Sequence, residues 1–195
     1  FNVNPSEDVL YNIIEPIHNE LLLVLDETGS AIFPDITGTI WTDNIGSWEN
    51  TEGYLIKVSN DVILSIENDG IIELPLTIPL GQGWNVISYP AQNQNDIEIV
   101  LSSIIESENL QLVFNEAGNV YIPSYITGSE SVNSILSLSS GEGYYVKVAN
   151  NDELIIAEPD AIFENNDFIS NDNRDEHFTT VWSGNPFSPM TIIMD

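Results

Sequence analysis

An apolar stripe occurs twice along this chain. Val9, Leu10, Ile13 and Ile14 recur as Val100, Leu101, Ile104 and Ile105, 91 positions later, and both sets have the spacing that lines one face of a helix. A repeat at this distance constrains the fold more than any single motif, because each copy must be one supersecondary unit built to the same plan. Ser6 ahead of Glu7 and Asp8, and Asn95 ahead of Asp96, predict the two helix starts, with a capping side chain followed by acid at the positive end of the helix dipole.

The first copy carries extra residues around Pro16 to Glu20, after which the register shifts. Leu21 to Pro34 then lies over Leu110 to Pro123, with Gly29 and Gly118 at the same place. The apolar and β-branched runs, the glycine between them and the closing proline predict a β-hairpin in each copy. Gly53-Tyr54-Leu55-Ile56-Lys57-Val58 matches Gly143-Tyr144-Tyr145-Val146-Lys147-Val148 as a further strand. A final strand is expected at Val62 to Ile66 and at Leu154 to Ala157. Gly83 to Pro90 predicts a strand opening the second copy, and Phe1 to Pro5 resembles only its end, so the first copy is expected to lack most of that strand, with a stretch like Gly-Trp-Asn preceding it.

Pro75, Pro79 and Gly81 mark a junction too short for a flexible linker. Residues 159–177 are crowded with Asn and Asp and read as linker; strand-like patterning resumes at His177 to Trp182 and at Met190 to Met194. The expected organisation is a truncated first module over 1–76, a second over 77–158, the linker, and the start of a further β-domain over 178–195, which could instead pair with the modules. The fold class is α+β, two small modules that each pack one short helix on a β-sheet, followed by a strand stub.

Charge excludes several partners. Against 31 acidic residues stand Lys57, Lys147 and Arg174, for a formal net charge of −28. Such a surface repels nucleic acid and anionic lipid, whose phosphates need Lys and Arg to displace counterions. It suits a saline medium that screens self-repulsion, occupancy by calcium, or mimicry of a nucleic-acid backbone. Cysteine is absent, which removes disulfides, thiolate zinc sites and cysteine nucleophiles. No run approaches the ~20 apolar residues of a membrane-spanning helix, so no membrane insertion is expected.

The motifs Gly83-Trp84-Asn85-Val86-Ile87-Ser88, Gly118-Asn119-Val120-Tyr121-Ile122-Pro123 and Gly141-Glu142-Gly143-Tyr144-Tyr145-Val146-Lys147 resemble repeat modules of large secreted or cell-surface proteins of Bacteroidota-type bacteria. In the first copy, Asn44 to Trp48 and Glu52 to Lys57 carry the same likeness, and His177 to Pro186 resembles the opening of a β-domain found beside such modules. The resemblance implies export by the type IX secretion route, an extracellular or cell-surface location, adhesive or polymer-binding roles, and no active site. The second copy departs from the first by having Ser137-Leu138-Ser139-Ser140 around the place of Trp48.

Candidate chemistry is sparse. His18 and His177 lack metal-site spacing, and among so many acids a pair at glycosidase separation carries no signal. Calcium is the one cofactor left open. Its candidates are Asp26, Glu27, Asp69, Asp172 and Asp175, although Asn171 to Asp175 fails the EF-hand pattern, with Glu176 where glycine is needed and Trp182 at the twelfth place. Lys57 and Lys147 occupy one repeat position and are expected to be structural, in ion pairs with carboxylates across strands; a lysine–asparagine isopeptide crosslink is the sharper reading. Trp41 and Trp48, in the variable loop, are the candidates for stacking on sugar, the alternative being that they close the end of a core. Trp84, Tyr54 and Tyr144 are expected in the core. The function expected is a non-enzymatic structural or adhesive repeat whose partners are neighbouring domains, a glycan or another surface protein; the alternative is a carbohydrate-binding accessory module of a secreted polysaccharide-degrading enzyme.

Overall fold

The computed structural model describes residues 1–157. The chain runs β1 (Val3–Pro5), α1 (Leu10–Ile13), a 3₁₀ turn (Glu15–Ile17), β2 (Leu21–Leu25), β3 (Ala31–Pro34), β4 (Trp41–Asp43), β5 (Leu55–Val58) and β6 (Asn68–Ile71). It continues through β7 (Leu76–Leu80), β8 (Gly83–Ser88), β9 (Asn95–Asp96), α2 (Ile97–Val100), α3 (Ser102–Glu106), β10 (Leu110–Asn115), β11 (Val120–Ile122) and α4 (Ser124–Thr127). β12 (Val132–Asn133), β13 (Ser137–Leu138), β14 (Gly143–Val148) and β15 (Asp152–Ile156) complete it. The molecule is β-rich with a few short helices, compatible with the α+β class.

Two sheets dominate. The first has the order β4-β3-β2-β5 and the second β12-β11-β10-β14-β8, all neighbours antiparallel. Their registers agree in detail. Val24 faces Ile56 and Leu23 faces Lys57 in the first sheet; Val113 faces Val146 and Leu112 faces Lys147 in the second. The register shifts between Leu21 and Leu23, and again between Leu110 and Leu112, so even the irregularity is shared.

The hairpins follow from their sequences. The Asp26 N–H donates to the Ser30 carbonyl across the β2–β3 turn while the Asp26 carboxylate accepts from the Thr28 and Ser30 N–H groups, both at 2.8 Å. Asn115 does the same for Asn119 at the β10–β11 turn. Gly29 and Gly118 adopt φ of +88° and +80° there, a conformation that costs a side-chain-bearing residue about 1–2 kcal/mol.

Each sheet covers a core of its own. Leu10, Ile13 and Ile14 pack with Val24, Ile32 and Ile56 in one cluster; Ile97, Leu101 and Ile104 pack with Val113, Tyr121, Tyr144 and Val146 in the other. The repeated apolar stripe is thus the face of the helical segment that meets the sheet. Burying such side chains contributes ~1.5–3 kcal/mol each before the entropy of ordering is counted.

Several expectations fail locally. Ser6 does not cap α1, whose N-cap is Val9, and its hydroxyl donates to Asp69 instead. Asp96 rather than Asn95 caps α2, accepting from the Glu98 N–H at 2.7 Å. The second half has three short helical segments rather than one. Val62 to Ile66 alternates in burial but joins no ladder, whereas Leu154 falls in β15, paired with β7. Phe1 to Pro5 is not part of the main sheet, since β1 pairs with β6, which Asn68 and Asp69 begin. Among the described residues no helix is long and apolar enough to cross a membrane.

Candidate functional site

Alternation along β8, β10 and β14 turns one set of side chains to the core and the other to the outer face of the second sheet. Tyr144, Val146 and Val148 are buried, and Tyr145 and Lys147 between them face out. Phe114 lies opposite Tyr145, and Trp84 opposite Lys147. The rings meet: Phe114 stacks on Tyr145 with centroids 4.2 Å apart, and Trp84 meets Phe114 edge-on at 5.5 Å. The Lys147 ammonium sits 5.5 Å from the centre of the Trp84 ring, within reach of the ring's negative face. Burial among these rings pushes the Tyr145 phenol up.

Trp84 is 49% exposed, which corrects its assignment to the core. The strand's period puts Asn85 and Ile87 inward, where Asn85 bonds Gly81 through both ends of its amide, and so places Trp84 on the outer face. Lys57 and Lys147 occupy the same register position on the outer faces of their sheets. Their cross-strand neighbours are Leu23 for the first, and Leu112 and Trp84 for the second. None is a carboxylate, because the outer face at these positions is apolar.

Val86, the next outward residue of β8, is covered by the first half. Its carbonyl accepts from the Gly53 N–H at 2.8 Å, and its N–H donates to the Glu27 carboxylate at 3.3 Å. A Cβ on Gly53 would stand 2.6 Å from Val86 Cγ1 and 2.9 Å from its carbonyl carbon, so only glycine fits. Asn2 donates to Ser140 and Gln92 donates to the Asn2 carbonyl, tying the halves beside the same strand.

The remaining candidates lie apart from this face. Trp41 is half-buried against the first core, stacked on His18 at 4.7 Å and edge-on to Tyr11 at 5.9 Å. Burial lowers the His18 pKa. Trp48 packs against the same core and stacks on Phe1 at 5.6 Å. Asp26 spends one oxygen on its turn, Glu27 reaches Val86, and Asp69 accepts from Ser6. No group of three or more metal-ligating side chains comes together among the described residues. Asp172, Asp175, the linker and the segment 178–195 lie outside them.

Phe114 and Tyr145 were missed as site residues. The signal was available in the pairing of Leu110 to Asn115 with Gly143 to Val148, since antiparallel register and alternation together place both rings on one face. No family model, curated protein or solved structure matches the chain.

Proposed function

We propose that the chain is two copies of one β-rich module, over residues 1–76 and 77–158, acting as a non-enzymatic structural or adhesive segment of a large secreted or surface protein. The shared register and shared bulge of the two sheets support the two-copy reading. The observation that carries the spacing role is the seam at Val86, where a backbone hydrogen bond, a carboxylate and an obligatory glycine hold the halves together. A tether designed for flexibility has no use for such a seam. The resemblance to Bacteroidota-type surface repeats and the acidic, cysteine-free composition favour an extracellular setting reached by type IX secretion. Amide relaxation should give one correlation time for residues of both cores; two distinct times would sink the spacing role.

The outer face of the second sheet favours a second reading, a carbohydrate-binding accessory module. An exposed tryptophan beside two stacked rings offers the apolar platform on which a sugar ring can lie. A glycan array with Trp84→Ala, Trp41→Ala and Trp48→Ala separates the possibilities. Binding lost only with Trp84→Ala assigns the ligand to this platform, and binding to no glycan removes the second reading.

A further inference from the structure

The five strands of the second sheet carry no acidic residue, in a chain that has 31. Their one charged side chain is Lys147. Its neighbours across the ladder are Leu112 and Trp84, and Ile122 and Val132 extend the same apolar outer face over β11 and β12. The acids closest to these strands in the fold are engaged elsewhere. Asp152, the first acid after Lys147, accepts from the Asn109 amide at 2.7 Å, Glu142 from the Tyr144 hydroxyl at 2.8 Å, and Glu27 from the Val86 N–H. Among the described residues no carboxylate pairs with the Lys147 ammonium, which faces the Trp84 ring instead. An ammonium has three donors and no acceptor, so facing one ring leaves donors for an anion.

The three rings of the face are not equivalent. Phe114 and Tyr145 lie within 11° of parallel and each turns one face to the other, whereas Trp84 meets Phe114 at 77°. Phe114 and Tyr145 are half-buried and Trp84 is exposed. Trp84 is therefore the ring with a face to offer, and a sugar stacked on it lies beside Lys147. One cation also bounds the charge of the ligand. A chain acidic at every residue would set most of its charges against a molecule of net charge −28, while a single acidic group on a neutral chain meets Lys147 alone.

We infer that this platform takes a mostly neutral glycan bearing isolated acidic groups, carboxylate or sulfate ester. One acidic sugar stacks on Trp84 and its anion accepts a charge-assisted hydrogen bond from the Lys147 ammonium. The inference rests on the carbohydrate-binding reading of the face.

NMR titration of the full chain at 0.15 M salt, following the Trp84 indole N–H, tests it. The probes are matched oligosaccharides on the backbone that binds best in the glycan array: neutral, with one uronate, with one sulfate ester, and acidic at every residue. The singly acidic probes should bind roughly two- to five-fold tighter than the neutral one, the gain of an exposed ion pair, and the tighter of them identifies the acid. The fully acidic probe should bind no tighter than these. Lys147→Gln should bring the singly acidic probes to the neutral level without changing neutral binding, and Lys147→Arg should keep the preference. In the unsubstituted protein 1 M salt, where the screening length is ~3 Å, should erase the preference, so the test stands even where Lys147→Gln fails to fold. Equal binding of neutral and singly acidic probes overturns the inference and leaves the carbohydrate reading intact. A preference that survives Lys147→Gln, or tightest binding by the fully acidic probe, also overturns it. Binding to no glycan removes both.

Discussion

Two tyrosines hold equivalent corners of the two halves. Tyr144 accepts from the Ser139 N–H and donates to the Glu142 carboxylate, both at 2.8 Å, and Tyr54 repeats this with Glu49 and Glu52 at 2.9 and 3.4 Å. Burial, chiefly, pushes both phenols well above the ordinary tyrosine value. A group harder to deprotonate when folded contributes stability that is fully present below its unfolded pKa, ~10, and is lost as pH rises toward the folded value. Alkaline unfolding should therefore begin above about pH 10, with tyrosinate absorbance appearing together with loss of structure. Tyr144→Phe should cost ~1 kcal/mol in urea denaturation, because it removes the acceptor of the part-buried Ser139 N–H and the bond to Glu142. Tyr54→Phe should cost less, since Tyr54 is only half-buried and its bond to Glu52 is long. Glu52 makes the opposite contribution at neutral pH. Desolvation, followed by the charge of Glu27, raises its carboxyl pKa, with Asp26 and Glu49 adding to the effect. Its folded form thus favours the proton, and the stability it confers below the ordinary carboxylate pKa is lost as pH rises through the folded value. Glu52→Gln should raise the melting temperature at pH 7, with the gain vanishing near roughly pH 4.

At the scale of elements, the seam on β8 decides how the halves behave. Gly53→Ala introduces a methyl 2.6 Å from Val86 Cγ1, and against strand backbone at 2.9 and 3.0 Å that cannot retreat freely. It should destabilise the protein by ~1–3 kcal/mol, the cost of overpacking. Amide exchange should then quicken at Val86 ahead of Val113 and Val146, which lie in the second core; uniform loss of protection would instead show that the halves unfold as one unit. The seam was not legible in the sequence, because Gly53 and Gly143 occupy one repeat position, yet a Cβ at Gly143 would lie an ordinary 3.8 Å from the Ile87 carbonyl and only one at Gly53 would collide with Val86. The hairpins were legible: Asp26 and Asn115 each fix their turn through their own carboxyl or amide oxygen, and local chemistry of this kind survives folding. The caps were half legible. Asp96 caps its helix one residue after the predicted position, whereas tertiary contacts with Glu67 and Asp69 take Ser6 away. Val62 to Ile66 carries the alternation of a strand, but alternation reports which face is buried and says nothing about an available neighbour. Trp84 was misplaced for the related reason that a tryptophan on a strand serves the outer face as readily as the core.

For the whole molecule, a formal charge of −28 opposes compactness at every point of the surface. Lys57, Lys147 and Arg174 cannot neutralise it, and the two described lysines stand beside apolar neighbours. Stability should consequently rise with ionic strength as the screening length shrinks from ~30 Å at 0.01 M to ~8 Å at 0.15 M. For a chain of this length each ~1 kcal/mol of relieved repulsion raises the melting temperature by roughly 2–4 °C. Sodium and calcium chlorides distinguish screening from binding when compared at equal ionic strength. Asp26 has one carboxylate oxygen committed to two backbone N–H groups and a hydroxyl, and Asp69 accepts from Ser6, so a cation at either would have to displace bonds that already hold a turn or an entry into a helix. The two melting curves should therefore coincide within the small excess that divalent screening brings. A further rise with calcium that saturates, following the logarithm of concentration above a dissociation constant, would reverse this. Charge-removing substitutions would then locate the ion: loss of the rise with Asp172→Asn or Asp175→Asn, and not with Asp26→Asn or Glu27→Gln, would assign it to the acidic segment that follows the second half.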